Sequence, residues 1–246
     1  MTGLAKLTTT EAKLFFREPA GVFFILVFPV LLLCVLGAIP AFREPDPNMG
    51  GARTIELYVP IVISMTIALF SLSGLPGELA MYRERGILRR IATTPVRPSM
   101  MLAAQLIVFM IMAIGVTVVL LAIGRLVFDV DLPKQPLAYF LMYLLTVGTM
   151  LSLGLLIAAV VRSGKAAGAV GQVLFFPTLF FAGLWLPRAA MPEVLRNISD
   201  FTPLGAGVQS LTDAASGSWP QLLHVLVMVA WTAITATAAA KLFKWE

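Results

Sequence analysis

The chain has 246 residues, of which 59% are hydrophobic and only 13% charged, with a formal net charge of +5. A soluble domain carries roughly 25% charged residues, so this usage, with a mean hydropathy of +0.92, points to lipid rather than water as the solvent. The basic balance could suit a nucleic-acid binder. Here, however, the lysines and arginines fall between long apolar runs instead of along one polar face, which fits membrane topology. Cys34 is the single cysteine, so neither an intrachain disulfide nor a cysteine-based metal site is possible.

Residues 2–18 predict a helix. At 3.6 residues per turn, Lys6, Lys13 and Arg17 fall on one narrow stripe, while Leu4, Leu7, Leu14 and Phe15 lie opposite. This is the pattern of a helix lying in the membrane interface with its cations at the headgroups. A simple positive anchor is the alternative reading. Glu11 falls on the apolar arc, so that face is expected to meet protein rather than lipid. The first apolar run, Gly21–Ile39, follows. It is too long for a cleavable signal peptide, and no small-residue cleavage site comes after it.

Five further runs have about the 20 apolar residues a spanning helix needs: Leu57–Pro76, Met100–Gly124, Leu137–Val161, Ala167–Leu186 and Pro220–Ala240. None of the six contains Asp, Glu, Lys or Arg. Lipid leaves an open sheet edge unsatisfied, so helices are expected. The expected fold is an all-α integral membrane protein with six transmembrane helices in one domain over residues 1–246. If both termini are cytoplasmic, the inner segments hold Lys6, Lys13, Arg17, Arg83, Arg85, Arg89, Arg90, Arg97, Arg162, Lys165, Lys241 and Lys244. That is twice the number left outside, and the bias favours this topology.

Between the second and third runs lies ELAMYRERGILRRIATTPVRPSM, residues 78–100. Gly86 breaks or bends a helix there. After it, Ile87, Leu88 and Ile91 share one helical face, while Arg89 and Arg90 point elsewhere. Pro95 disfavours helix at Thr94 and ends the piece. A short helix with an apolar knob and a basic flank suits insertion into a groove on a cytoplasmic partner. A loop that merely fixes orientation is the alternative, but two arginines would suffice for that without the apolar triplet.

Glu78, then Glu84-Arg85-Gly86-Ile87-Leu88-Arg89-Arg90-Ile91, then Thr94-Pro95-Val96, resembles the signature of ABC-2 type transporter permeases. Within that family the chain looks closest to daunorubicin-resistance-like drug and lipid exporters. The stretch LWLPRAAMPEVLRNISDFTPLGAGVQSL, residues 184–211, is similar to the family's segment between spans five and six. There, short re-entrant helices dip into the membrane from outside, and Pro187, Pro192 and Pro203 fit breaks between them. The resemblance implies two permease protomers, identical or paralogous, paired with two ATPase subunits in a bacterial cytoplasmic membrane. It assigns Glu78, Glu84, Arg85, Gly86, Ile87, Leu88, Arg89, Arg90 and Ile91 to the element that couples to the ATPase. The N-terminal helix becomes the family's connecting helix. ATP and magnesium would bind the partner, and this chain would hold no cofactor or metal.

The residues agree on one point. No G-x-x-x-x-G-K-[ST] occurs; Ser163-Gly164-Lys165 is followed by Ala166. Without a phosphate-cradling loop the chain is expected not to hydrolyse ATP. An ion-coupled carrier is the alternative, yet such carriers keep ionisable residues inside their spans. His224 is the sole candidate, placed near the outer interface and read as a hydrogen-bonding group. A polytopic membrane enzyme is the other alternative, and no acidic pair, metal cluster or nucleophile–base arrangement supports it. Gly164, Ala167, Gly168 and Gly171 stand at small-residue spacing for close helix packing. Gln172, Phe176, Phe180 and Trp185 are read as one helix's contribution to a substrate pathway or a dimer contact, with lipid-facing bulk as the alternative. Gln105 is read as bonding to a neighbouring helix.

Overall fold

The computed structural model describes residues 3–45, 51–87, 90 and 98–243. Among these, six helices are long and apolar enough to span a membrane. Span 1 is Pro19–Ala38, span 2 Thr54–Glu84, span 4 Pro136–Val160, span 5 Gly164–Phe181 and span 6 Leu222–Leu242; span 3 is Pro98–Phe128. No strand forms among the described residues, where an isolated bridge pairs Pro45 with Arg53. The chain is a multi-pass, all-helical membrane protein.

Three boundaries differ from expectation. Span 2 runs on past Pro76 to Glu84, so Glu78 and Glu84 belong to its last turns rather than to a separate loop. Span 3 continues to Phe128. Span 5 stops at Phe181, because Ala182 caps it and Gly183 turns the chain at φ +91. Trp185 therefore lies beyond the helix, not on it.

Span 2 is the axis of the bundle: 89% of its most apolar window is buried, against 22% for spans 1, 5 and 6. Residues Leu69–Gly74 of span 2 form a π-helical turn, and Phe23–Val27 form another in span 1. Each lies just before a proline, Pro76 and Pro29 respectively. A proline removes one i→i−4 bond and crowds the preceding turn, and widening to i→i−5 re-satisfies the backbone. The bond from Leu75 N–H to Phe70 O shows that wider step.

Two glycines let neighbouring helices press on this turn. A Cβ on Gly154 of span 4 would lie 2.0 Å from Ser71 O, and one on Gly171 of span 5 would lie 1.8 Å from Leu72 O. Gly168, at the same small-residue spacing, has nothing within 4 Å. Spans 4 and 6 meet through hydroxyls: Thr149 Oγ1 is 2.8 Å from Thr232 Oγ1, and Ser152 Oγ is 2.6 Å from Thr235 Oγ1. Such interhelical bonds in lipid average about 0.6 kcal/mol each.

Between spans 5 and 6 come a 3-10 turn at Arg188–Ala190 and two helices, Glu193–Phe201 and Pro203–Ser216. Pro187 and Pro192 precede the first two, and Pro203 opens the third. The third is buried at Pro203–Val208 and again at Ser210, Leu211 and Ala214. His224, at the start of span 6, is wholly buried, with Nε2 3.0 Å from Asp200 Oδ1. The expected hydrogen bond is present, inside the protein.

Candidate coupling site and groove

The end of the bundle that carries Arg85, Gly86 and Ile87 is built around the last turn of span 2. Arg83 donates to Ala159 O at 3.5 Å and to Val161 O, the carbonyls at the C-terminus of span 4. The next residue, Glu84, accepts the Gly164 N–H at 3.0 Å, at the N-terminus of span 5. A cation at one helix's carbonyl end and an anion at another's N–H end both match the helix dipoles. Adjacent residues of span 2 therefore hold the turn between spans 4 and 5.

Gly86 then ends the helix. Its φ is +67, its N–H bonds Arg83 O at 3.0 Å, and the Arg90 N–H bonds Gly86 O at 3.1 Å. Helix resumes at Ile87 and is present again at Arg90, as a break at Gly86 predicts. Leu88, Arg89 and Ile91 lie outside the described residues. Arg85 and Arg90 are exposed. Ile87 instead packs against a small cluster of Tyr82 and Met101, which Leu7, Met81 and Phe243 also cover. That cluster joins the N-terminal helix, spans 2 and 3 and the chain after span 6.

The N-terminal helix, Gly3–Phe16, lies against span 3. Lys6 and Lys13 on it, and Arg17 just after it, are exposed, while Glu11 and Phe15 are buried. The face carrying Glu11 meets protein, as its place on the apolar arc predicts; Leu14, expected on that face, is 43% exposed. Glu11 accepts from Tyr82 Oη at 3.2 Å and from Gln105 Nε2 at 3.3 Å. Burial pushes its carboxyl above the ordinary carboxylate range against the pull of these two bonds.

A groove of 1240 Å³ runs along spans 1, 2 and 5. Phe24, Phe28, Leu32 and Leu36 of span 1 form one wall, and Gln172, Phe175, Phe176 and Leu179 of span 5 the other. Its floor is span 2, from Tyr58 to Glu78. The mouth near Arg85 is charged, with Glu18, Glu84 and Lys165 beside it. At the far end Tyr58 Oη donates to Leu184 O at 3.1 Å, and Trp185 stacks on Phe176 with ring centroids 6.3 Å apart. The structure thus brings Gln172, Phe176 and Trp185 together. Phe180 is not among the lining residues and packs on Phe181, centroids 5.4 Å apart.

A sequence model of the ABC-2 type transporter family matches residues 3–215, which take in the coupling end and the groove. The chain belongs to the ABC-2 type transporter family. The permease is 25% identical over 236 residues to a Bacillus subtilis (strain 168) protein named as transport permease YvfS, covering 92% of each chain. It is 24% identical over 181 residues to linearmycin resistance permease protein LnrN of the same organism, covering 72% of this permease and 47% of LnrN. An ABC-2 permease is the membrane subunit of a transporter, and a separate ABC ATPase is its partner.

Arg83 of the permease was missed by motif reading. The signal was the opposite-charge pair Arg83-Glu84 just before a helix-ending glycine, which is suited to bonding the ends of neighbouring helices. Tyr82 gave no signal. Its hydroxyl matters only because the N-terminal helix folds back onto span 2.

Proposed function

We propose that this permease belongs to an exporter that moves an amphiphile, a drug, lipid or lipid-linked compound, outward across a bacterial cytoplasmic membrane. Both termini and residues 85–97 face the cytoplasm. Two ATPase subunits, which bind the ATP and magnesium, drive two permease protomers. The relative named for linearmycin resistance supports an antibiotic among the candidate cargoes.

The observation that carries this reading is the continuity of span 2. One helix joins the segment that leads to the ATPase, holds the ends of spans 4 and 5 through Arg83 and Glu84, and forms the groove floor. A displacement of residues 85–91 by the ATPase is thereby passed to the groove walls. The aromatic, largely uncharged walls suit an apolar body, and the charged mouth suits a polar head.

Reconstitution with the partner ATPase in proteoliposomes tests it. Gly86→Val places a β-branched residue at φ +67, where the cost is conformational, roughly 1–2 kcal/mol, since nothing lies within 4 Å of a Cβ there. Gly86→Val, and Arg85→Glu with Arg89→Glu, are expected to abolish permease-stimulated ATP hydrolysis and ATP-dependent movement of a lipophilic dye. Thermal unfolding of the permease should stay close to wild type. Normal stimulation and movement in both variants would refute the coupling role.

A further inference from the structure

Beside the groove lies a second, much smaller cavity of 10 Å³, bounded by Glu11, Phe15, Glu78, Gln105, Val108 and Phe109. That is room for about one water molecule. Its polar rim is made almost entirely of acceptors. Glu11 is 6% exposed and Gln105 is 2% exposed. Gln105 Oε1 is buried with no hydrogen-bond partner. Among the described residues no donor reaches the Glu78 carboxyl, and the charged groups acting on it are Glu11 and Glu18, both acidic.

The N-terminal helix contributes Glu11 to this cavity, span 2 contributes Glu78 and span 3 the neutral Gln105. Tyr82 of span 2 lies outside its lining and gives its hydroxyl to Glu11, and Glu18, at the elbow before span 1, lines the groove. Of the cations in this region, Arg85 and Lys165 line the groove mouth with Glu18 and Glu84, and Arg83 bonds the end of span 4. Two ionised carboxylates and an amide oxygen are acceptors only. An unpaired charge pair of like sign at this depth is costly, and adding one proton turns a carboxylate into the missing donor.

We propose that Glu11, Glu78 and Gln105 form a binding site for one exchangeable proton, shared between the two carboxyl groups across the small cavity. Its occupancy seats the N-terminal helix against spans 2 and 3. The protonated pair carries one negative charge; its proton is donated to one water in the cavity, whose two hydrogens reach the other carboxylate and Gln105 Oε1. When the proton leaves to bulk water through the groove mouth that Glu78 shares with Glu18, two anions face each other and the helix is repelled. The direction follows from linkage. A carboxyl whose seated-state affinity for protons exceeds its free-state affinity contributes stability that is fully present at low pH. That contribution is lost as pH rises through the seated-state value.

The test uses the full-length permease with Cys34→Ser, in lipid nanodiscs. Spin labels at Thr9→Cys on the N-terminal helix and Lys165→Cys on span 5 report seating; both positions are exposed. The seated fraction is expected to fall with rising pH in a one-proton transition, the seated-to-released ratio changing about tenfold per pH unit. Glu78→Gln, which keeps shape and supplies a permanent donor, is expected to stay seated throughout. Infrared difference spectra of the unlabelled wild type should show a protonated carboxyl C=O band at neutral pH that is lost in Glu78→Gln. A seating ratio independent of pH, a transition that survives in Glu78→Gln, or no protonated carboxyl in the wild type would each overturn the proposal. So would a seated fraction that follows sodium or potassium concentration at fixed pH, which would assign the cavity to a metal cation.

Discussion

Asp200 shows how one buried charge is held at the end of the bundle away from Gly86. Arg188 Nη2 donates to its Oδ2 at 2.9 Å, and His224 Nε2 lies 3.0 Å from its Oδ1. Burial alone would raise this carboxyl, but the bonds and charges of Arg188 and His224 outweigh it, and the net shift is downward. The folded value is below the unfolded one, so the unfolded chain binds more protons between the two. The stabilisation is present above the ordinary carboxylate value of about 3.9 and is lost as pH falls through the folded value. Asp200→Asn should therefore lower the thermal unfolding temperature in detergent at neutral pH, by a loss of about 1.5–3 kcal/mol for a charge-assisted pair. The gap to wild type should close as pH drops below about 3.9. An equal gap at both ends of the titration would mean that packing, not charge, is what the substitution removes. His224 was legible as a hydrogen-bonding group but not as a buried one. Its partner is 24 residues away, on a helix whose docking no local pattern announces.

The helices make their closest approaches where span 2 widens into its π turn. Gly154 and Gly171 bring spans 4 and 5 onto the Ser71 and Leu72 carbonyls. The blocking atoms are backbone, so a methyl group cannot be accommodated by a rotamer change. Gly171→Ala is expected to lower folded yield and unfolding temperature sharply. Gly168→Ala, with open space around it, should be neutral or stabilising by up to about 1 kcal/mol through helix propensity. Equal effects from the two variants would refute the close-packing role. In the sequence these glycines are equivalent, members of one small-residue series that includes Gly164. Only the position of the π turn separates them, and that turn depends on Pro76 acting within a packed bundle. For the same reason the apolar run through Leu186 reads as one span. Hydropathy measures what is oily, and Gly183 ends the helix by a backbone angle that hydropathy does not record.

On the scale of the whole molecule, the spans were legible because lipid demands long uncharged runs, and the break at Gly86 because glycine is a poor helix former. The groove was not legible, since its walls come from spans far apart in the chain, and Phe176 meets Trp185 only after the turn at Gly183. The hydroxyl contacts of spans 4 and 6 were hidden likewise, as Thr149 and Thr232 are 83 residues apart. The groove has a consequence for assembly. Span 2 is already enclosed by its neighbours, whereas span 1 leaves Phe24 55% exposed and span 5 leaves Phe176 56% exposed along the groove. Among the described residues no further helix closes that side. A pathway shielded from lipid needs a second set of walls, which the second permease protomer of the proposed assembly would supply. Native mass measurement of the permease–ATPase complex released from mild detergent should give two permease copies per assembly. Cysteines at Phe24 and Phe176 in a Cys34→Ser background should crosslink between copies, and occupation of the groove by a lipophilic dye should slow that reaction. An assembly with a single permease copy that still moves dye in an ATP-dependent manner would show that the open groove is closed by lipid or by the cargo itself, and the two-protomer pathway would fall.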